Sequence, residues 1–393
     1  LGKEKMAGMF NWDYMLEMGR SVSDEALLVR LNSLDPDDVI NMQYTSGTTG
    51  FPKGVMLTHT NLIGNAMSMA ECMKLTPDDA MCIPVPFFHC FGCVIGTLCC
   101  MVSGTTMAPV VAFTPVAVLK TVEASKCNAL LGVPTMFIAE FEEMDKNSYD
   151  TSSLRTGVMA GSTCPVEVMK RVIKDMGANE MTIVYGQTEA SPGITQTRDQ
   201  DSLELKTSTV GRALPNVEVK IIDPATGDEV PIGVQGELCS RGYHVMKGYY
   251  KMPEATAKTV DSDGWLHTGD LAIMDKNGYC KITGRIKDMI IRGGENIYPR
   301  EIEEFLYSHP KVKDIQVVGV PSEKYGEEVA AFIQLKVGEK ATAEEIITFC
   351  KDQISFFKIP KYVYFVDEYP TTASGKIQKY KLRELATAEQ AKS

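Results

Sequence analysis

Short apolar segments alternate with helical stretches through the first half of the chain. The apolar segments read AMCIPV, ALLGVP and MTIVYG, and the helical stretches lie at about 58–74, 114–126 and 165–176. Two neighbouring parallel strands need a crossover connection, which is usually a helix. The alternation therefore predicts an α/β fold built on a multi-layer parallel-sheet domain, whose ligands bind at the carboxyl ends of the strands.

The pattern changes twice in the second half of the chain. From about residue 208 to 285, alternating apolar and polar residues and the turn DKNGY predict an antiparallel sheet or a β-barrel-like subdomain. After Arg285, helical and strand patterns mix again, as in REIEEFL and IQVVGVP. We therefore expect a large domain over residues 1–285 and a small α+β domain over residues 286–393.

Charge and cysteine content exclude several classes of function. The net charge is −11 and the pI about 5.1, whereas nucleic-acid binding needs a basic surface, so no nucleic-acid partner is expected. The eleven cysteines lack the spacing of a disulfide framework, which indicates reduced thiols and a cytoplasmic protein. Cys90 and Cys93 form a C-x-x-C, but their apolar setting favours buried core thiols over a zinc or redox site.

One uncharged stretch has to be weighed as a membrane segment. Residues 80–119 contain no Asp, Glu, Lys or Arg, yet four prolines and three glycines interrupt them. A membrane-spanning helix needs about 20 consecutive apolar residues. We therefore expect short buried strands and helices here and no transmembrane segment, with peripheral membrane contact as an open alternative.

The segment YTSGTTGFPKGV, residues 44–55, has the composition of a phosphate-binding loop. It is not a P-loop, because Pro52 stands in place of the second glycine and Gly54 in place of the hydroxyl residue that binds magnesium. Its glycines nevertheless allow backbone N–H groups to converge, its hydroxyls can donate, and Lys53 adds a positive charge. The segment predicts a phosphate site, with a mobile Ser/Thr/Gly turn as the alternative.

Two further segments carry side chains that a nucleotide requires. In VYGQTEAS, Thr188 can offer a hydroxyl to a phosphate, Glu189 a carboxylate to Mg²⁺ and Tyr185 a flat face to a base. The alternative for this segment is a capped turn that opens a helix. Asp270 and Arg285 can hydrogen-bond the vicinal hydroxyls of a ribose.

Two glycine turns follow toward the carboxyl end. GGENIYP, beginning at Gly293, is one, and PTTASGK, which ends at Lys376, is the other. A lysine placed after such a turn can neutralise a carboxylate or a phosphate ester in a transition state. The alternative for Lys376 is an ordinary solvated lysine.

Together these motifs resemble one family. YTSGTTGFPKGV, YGQTE, HTGD, GRIKD and PTTASGK occur in the order and spacing of the AMP-forming adenylating superfamily of acyl-CoA synthetases, peptide-synthetase adenylation domains and luciferases. From about Asp35 to the end the chain is similar to this family, and PFFHCFGCVIGT, GVPTMF and SSLRTGVMAGSTCP resemble fatty-acyl-CoA synthetases, especially the medium-chain type. Members carry a long segment before the first motif, which here begins at Tyr44, so we expect an amino-terminally truncated chain.

The resemblance implies roles for the phosphate-binding and nucleotide-binding residues. The β- and γ-phosphates of ATP would be held by the first motif: Thr45, Ser46, Gly47, Thr48, Thr49 and Lys53. Thr188 would contact the α-phosphate and Glu189 would bind Mg²⁺. Tyr185 and Gly186 would flank the adenine, and Asp270 and Arg285 would hold the ribose.

The acyl side of the site is implied in the same way. Gly161 and Ser162 would border the adenine and the acyl carboxylate. His89 would help to close the acyl pocket, and its alternative is a buried, hydrogen-bonded histidine.

The resemblance further implies a two-step reaction. The carboxylate of a medium- or long-chain fatty acid would attack the α-phosphate of ATP, giving an acyl-adenylate and pyrophosphate, with Lys376 and Mg²⁺ stabilising the charge. CoA would then expel AMP. Between the steps the small mobile domain would rotate about Lys287, bringing Gly293, Gly294 and Glu295 to the pantetheine of CoA.

Two other functions stay open at this point. The acid could be adenylated for a separate carrier protein, although no GG-[DH]-S segment of a carrier is present in the chain. The chain could also be a non-catalytic, nucleotide-binding fragment.

Overall fold

A computed structural model describes residues 8–45, 52–162, 164–371 and 377–390. Its strands are β1 (Val39–Thr45), β2 (Lys53–Thr58), β3 (Ala80–Ile83), β4 (Thr106–Pro109), β5 (Ala129–Gly132), β6 (Thr156–Met159), β7 (Glu180–Gly186), β8 (Gly193–Gln196), β9 (Arg212–Ala213), β10 (Val217–Ile222), β11 (Gly236–Gly242), β12 (Gly248–Tyr249), β13 (Leu266–Met274), β14 (Cys280–Arg285), β15 (Ile290–Arg292), β16 (Glu295–Ile297), β17 (Val312–Ser322), β18 (Gly326–Leu335) and β19 (Tyr362–Phe365).

The α-helices are α1 (Trp12–Gly19), α2 (Asp24–Asn32), α3 (His59–Met73), α4 (Cys99–Ser103), α5 (Pro115–Ser125), α6 (Pro134–Met144), α7 (Val166–Asp175), α8 (Leu203–Ser208), α9 (Pro253–Thr259), α10 (Pro299–Leu306), α11 (Ala343–Cys350) and α12 (Lys379–Gln390). A π-helix spans Phe91–Leu98, and 3₁₀ turns span Thr188–Ala190, Ile286–Asp288 and Phe356–Lys358.

A seven-stranded sheet forms the centre of the fold, in the order β4-β3-β5-β6-β7-β8-β9. The first five strands of that order are parallel, and β8 and β9 are antiparallel to their neighbours. The helices expected at 58–74, 114–126 and 165–176 are present as α3, α5 and α7. The predicted α/β class is thus confirmed.

Both faces of this sheet are buried, as a parallel sheet requires. Along β5, Ala129 and Leu131 belong to a core with residues of α3 and α4, whereas Leu130 belongs to a second core with residues of α5, α6 and α7. Successive side chains of a strand point to opposite faces, so an uninterrupted apolar run supplies both cores.

Two antiparallel sheets flank the central one. The β-rich region expected at about 208–285 contributes a four-stranded sheet in the order β10-β11-β13-β14. The short strand β12 pairs instead with β2, in the three-stranded sheet β1-β2-β12. Val55, the last residue of the glycine-rich motif, therefore pairs with Tyr249 of the β-rich region.

The carboxyl-terminal part has its own sheet and cores. Its strands follow the order β16-β15-β18-β17, and β19 pairs in parallel with β18. One core packs under α10 and α11 and the other under α12, and every buried member of both lies between Ile290 and Ala386. These cores draw no buried residue from the sheets before residue 286.

Residues 286–393 expressed alone are therefore expected to unfold in one cooperative transition. Ile315 is fully buried in the sheet, and Ile315→Ala should lower the free energy of unfolding of this piece by about 2–5 kcal/mol. Ile291→Ala is the matched control, because Ile291 is 50% exposed in the same sheet, and should cost far less. Urea denaturation followed by circular dichroism measures both, and a broad, non-cooperative transition would contradict independent folding.

The uncharged stretch at 80–119 forms short elements, as expected. It contains β3, the π-helix, α4 and β4, and most of its apolar side chains are buried. Within the described ranges, no helix is long and apolar enough to cross a membrane. All eleven cysteines are unpaired, with Cys90 buried and Cys93 half-buried.

Candidate active site

The glycine-rich motif begins in β1 and ends in β2, and these two strands pair in antiparallel fashion. Thr45, the last residue of β1, pairs with Lys53, the first residue of β2. Ser46, Gly47, Thr48 and Thr49 lie outside the described residues. The hairpin register therefore places Thr45 and Lys53 side by side at the two ends of the predicted phosphate segment.

Tyr249 connects Lys53 to Glu189. The ammonium of Lys53 lies 4.6 Å from the centre of the Tyr249 ring, and the Tyr249 hydroxyl donates a 2.7 Å hydrogen bond to Glu189 Oε1. Tyr249 is 5% exposed and lies on β12, which pairs with β2. Sequence reasoning missed this tyrosine, because GYY alone carries no chemical signal for a nucleotide site.

Tyr185, Asp270 and Arg285 form a second connected group. The Tyr185 hydroxyl donates to Asp270 Oδ2 at 2.8 Å, and Arg285 Nε lies 2.9 Å from Asp270 Oδ1. Asp270 and Arg285 stand opposite each other in the β13–β14 register, which brings the two charges together. The three residues that the sequence assigned to adenosine are thus in direct contact.

Burial shapes the protonation of this group. Burial and the nearby Asp270 carboxylate raise the pKa of Tyr185 well above its usual value, so its hydroxyl stays a neutral donor. Burial acts to lower the pKa of Arg285, but Asp270, Asp288 and Tyr185 together outweigh it and the pKa is raised. The group therefore presents a charged guanidinium and a neutral phenol, both bonded to the Asp270 carboxyl group.

Several other predicted residues follow the carboxyl ends of the parallel strands. His89 follows β3, Gly161 and Ser162 follow β6, and Gly186 is the last residue of β7. Gly186 has no room for a side chain, because a Cβ there would lie 1.8 Å from the Pro192 carbonyl oxygen. These residues share the sheet edge at which open α/β sheets bind their ligands.

His89 is exposed, so the alternative of a buried core histidine is wrong. Its Nδ1 accepts a 3.1 Å hydrogen bond from the Phe91 N–H. The next residue, Cys90, is buried, and its thiol donates to Gln43 Oε1 on β1 at 2.9 Å. Gln43, which sequence reasoning also missed, thereby joins the first hairpin to the segment that carries His89.

Thr188 and Glu189 lie in the 3₁₀ turn that follows β7. The Met246 N–H donates to the Glu189 carbonyl oxygen at 2.9 Å, so backbone and side chain of Glu189 are both tied to the segment that leads into β12. A carboxylate with one oxygen engaged by a hydroxyl still has a second oxygen for a cation. This donor chemistry fits Mg²⁺, which takes one or two carboxylates alongside phosphate oxygens.

The remaining predicted residues lie in the carboxyl-terminal part. Lys287 is exposed in the 3₁₀ turn that follows Arg285. Gly293 and Gly294 have φ of +61° and +91°, a conformation that glycine adopts without strain, and they turn the chain from β15 to β16. Glu295 follows as an exposed residue, and Lys376 lies outside the described residues.

Comparison with known proteins agrees with this arrangement. The profile of AMP-binding enzymes matches residues 10–250, and that of the AMP-binding enzyme C-terminal domain matches residues 301–376. In Bacillus subtilis (strain 168), YngI, named as an acyl-CoA synthetase, is 64% identical over 384 residues, which are 98% of this chain and 70% of YngI. A mitochondrial medium-chain acyl-CoA ligase of Danio rerio is 47% identical over 96% of this chain and 63% of that ligase.

A solved structure shares the fold. The o-succinylbenzoate CoA synthetase of Bacillus subtilis, determined with its acyl-adenylate intermediate, superimposes with a TM-score of 0.79 at 30% identity, over 89% of this chain and 70% of that one. The motifs, the fold and the sequence identity all agree. The chain belongs to the AMP-binding enzyme family and, within it, to the AMP-forming acyl-CoA synthetases.

Proposed function

We propose that the protein activates a fatty acid with ATP and transfers the acyl group to CoA. The acid's carboxylate attacks the α-phosphate, an acyl-adenylate forms and pyrophosphate leaves. The CoA sulfur then attacks the acyl carbon, a thioester forms and AMP leaves. The observation that carries this proposal is the contact of Asp270 with both Arg285 and Tyr185, because Tyr185 lies at the carboxyl end of β7, just before the turn that carries Glu189.

In the proposed site, Asp270 accepts hydrogen bonds from the ribose hydroxyls. An ionised acceptor gives such bonds about 1.5–3 kcal/mol. Arg285 and Tyr185 hold the carboxylate in place before ATP arrives, so little ordering is left to occur on binding. Tyr185 and Gly186 flank the adenine, and Gly161 and Ser162 border the acyl carboxylate, with His89 at the acyl pocket.

The phosphates belong to the other side of the site. Thr45, Lys53 and the segment that contains Ser46, Gly47, Thr48 and Thr49 bind the β- and γ-phosphates, and Thr188 contacts the α-phosphate. Glu189 would hold Mg²⁺, which when bound offsets negative charge on the phosphates. Tyr249 fixes the carboxylate of Glu189 and the ammonium of Lys53 on its two sides.

The small domain, residues 286–393, supplies the remaining residues of the proposed mechanism. Lys376 stabilises the charge that develops during adenylation. Rotation about Lys287 then removes Lys376 and brings Gly293, Gly294 and Glu295 to CoA. In this arrangement two half-reactions share one site.

The proposed acid is a medium- or long-chain fatty acid. The medium-chain preference rests on the 47% identity to the Danio rerio ligase. We place the protein in the cytoplasm because its eleven cysteines are unpaired. Peripheral contact with a membrane would give it access to the longer acids.

ATP–pyrophosphate exchange on the intact protein, with fatty acids of increasing length, tests the first step, and thioester formation with CoA tests the second. Exchange that depends on a fatty acid and is followed by acyl-CoA release supports the proposal. The absence of exchange would indicate a non-catalytic nucleotide-binding protein. Exchange without thioester formation would indicate transfer to a carrier protein.

Tyr249→Phe is expected to lower the rate of adenylate formation by about 10-fold or more, because a hydrogen bond to a charged group contributes about 1.5–3 kcal/mol. The Mg²⁺ concentration needed for half-maximal rate should rise, since the lost hydroxyl positions Glu189. Tyr250→Phe is the matched control, because Tyr250 is the exposed neighbour. An unchanged Mg²⁺ dependence in Tyr249→Phe would show that Tyr249 has only a structural role.

A further inference from the structure

A group of three potential metal ligands lies on the four-stranded sheet, on the two strands β11 and β13. Glu237 and Cys239 are on β11 and His267 is on β13. His267 Nδ1 lies 3.0 Å from Glu237 Oε2 and 3.6 Å from Cys239 Sγ, and all three ligand atoms are within 4.8 Å of one another. None of the three has a part in the proposed reaction.

The strand register explains why the three side chains meet. Cys239 pairs with His267 across β11 and β13, so their side chains are on one face of the sheet. Glu237 precedes Cys239 by two residues and therefore points to the same face. The register shifts between Glu237 and Cys239, which is the mark of a β-bulge. Bulges commonly re-aim a side chain in this way.

Two of the three ligand–ligand distances match those of a metal site, and the third, between Glu237 and Cys239, is within 4.8 Å. Zinc binds sulfur at about 2.3 Å and nitrogen or oxygen at about 2.0–2.2 Å, so tetrahedral ligands lie about 3.3 Å apart for nitrogen and oxygen and about 3.5 Å apart for nitrogen and sulfur. The observed separations, 3.0 and 3.6 Å, differ from these by a few tenths of an ångström. An ion can therefore enter with small side-chain adjustments.

The second nitrogen of His267 has a partner of the kind that metal-binding histidines use. Asp261 Oδ2 lies 3.6 Å from His267 Nε2. A carboxylate at this position favours a proton on Nε2, which leaves the Nδ1 lone pair for a metal. Glu237 and Cys239 are buried and His267 is 31% exposed, so the ligands are fixed while one side stays open to water.

Two other features of this face bear on the charge of the site. Lys220 pairs with Cys239 across β10 and β11, but its ammonium lies 4.1 Å from the centre of the Trp265 ring. An imidazolium held between Glu237 and Asp261 is the competing explanation of the geometry. This explanation accounts for the positions of Glu237 and Asp261, but it assigns no function to the buried Cys239 thiol beside His267 Nδ1.

We infer that Glu237, Cys239 and His267 bind a soft divalent cation of the zinc type, with water as the fourth ligand. As the Zn–S bond forms, the thiol proton leaves to solvent. The ion joins β11 to β13 beside Gly269, which precedes Asp270 in β13 and whose N–H donates a 2.9 Å hydrogen bond to Glu237 Oε1. The site therefore stabilises the position of this part of β13.

Zinc titration of the metal-free intact protein against a chromophoric chelator tests the site. One tightly bound equivalent of zinc is expected. Cys239→Ala and His267→Gln should each lower the zinc affinity by at least about 100-fold. This is because losing an outer hydrogen-bond partner such as Asp261 already lowers metal affinity by about 10- to 100-fold. Cys280→Ala is the matched control, because Cys280 is a buried thiol of β14 in the same sheet. Circular dichroism verifies that each variant is folded.

X-ray absorption at the zinc edge of the unmutated protein gives a test that does not depend on variants. One sulfur with nitrogen and oxygen ligands supports the site, together with a higher melting temperature when zinc is bound. The proposal is overturned if no tight equivalent binds, if the zinc has several sulfur ligands or none, or if Cys280→Ala loses zinc as strongly as Cys239→Ala.

Discussion

Lys376→Ala is expected to lower fatty-acid-dependent ATP–pyrophosphate exchange by about 100- to 1,000-fold, the usual cost of removing one group that stabilises transition-state charge. Thioester formation from a supplied acyl-adenylate should change little, because in the proposed mechanism Lys376 has left the site by then. The two half-reactions are measured separately, by exchange of labelled pyrophosphate and by release of acyl-CoA. The expected outcome is thus a separation of the two steps by one substitution.

The matched control is Lys381→Ala, which removes an exposed lysine of α12 five residues further along the chain. Both half-reactions should be unaffected in this variant. Equal losses in the two half-reactions of Lys376→Ala would refute its assignment to the first step. The same result would also remove the main reason for a domain rotation between the steps.

Asp270→Ala should raise the KM for ATP and lower kcat/KM by about 10- to 100-fold, the equivalent of the 1.5–3 kcal/mol expected for hydrogen bonds to an ionised group. The variant also leaves Arg285 without its partner. The Arg285 side chain is 36% exposed, so solvent offsets part of that cost and the fold should survive. A melting temperature close to that of the unmutated protein would verify this point.

Deoxynucleotides make the Asp270 prediction specific for the ribose. The unmutated protein should discriminate against 2′-deoxy-ATP or 3′-deoxy-ATP, whereas Asp270→Ala should not, because the acceptor of the missing hydroxyl is already gone. Asp275→Ala is the control, since Asp275 follows the end of the same strand. Within the described part of the chain, its hydrogen bonds are all to residues of its own turn, Asn277, Gly278 and Tyr279. Undiminished discrimination in Asp270→Ala would place the ribose elsewhere.

The residues that the sequence assigned to the nucleotide, and that the structure brings into contact, share a common property: their chemistry is visible in a short motif. Tyr185 lies near the carboxyl end of β7, where α/β sheets bind ligands, and Arg285 ends β14. Asp270 lies within β13, opposite Arg285. Their mutual contacts could not be read from the motifs, however. Tyr185 is an example, because its flat face was expected to serve the adenine, whereas its hydroxyl is bonded to Asp270.

Tyr249 and Gln43 are two residues of the candidate site that the sequence motifs did not reveal. Tyr249 lies on a strand of two residues, too short for any alternation to reveal it, and it contacts Lys53 only because β12 pairs with β2. Gln43 contacts Cys90 because the first hairpin packs on the segment after β3. In both pairs the partners are far apart along the chain.

The sequence by itself determined the elements and their class: apolar runs long enough for buried strands, capped helices between them, and glycines where the backbone must turn. These features depend on contacts between residues a few positions apart, so a local pattern suffices to specify them.

The tertiary structure alone decided which elements became neighbours. The pairing of β12 with β2 places Tyr249 between Lys53 and Glu189, and the register of β11 and β13 places Glu237 and Cys239 beside His267. Such contacts depend on sheet order and register, which are set by the packing of the whole chain.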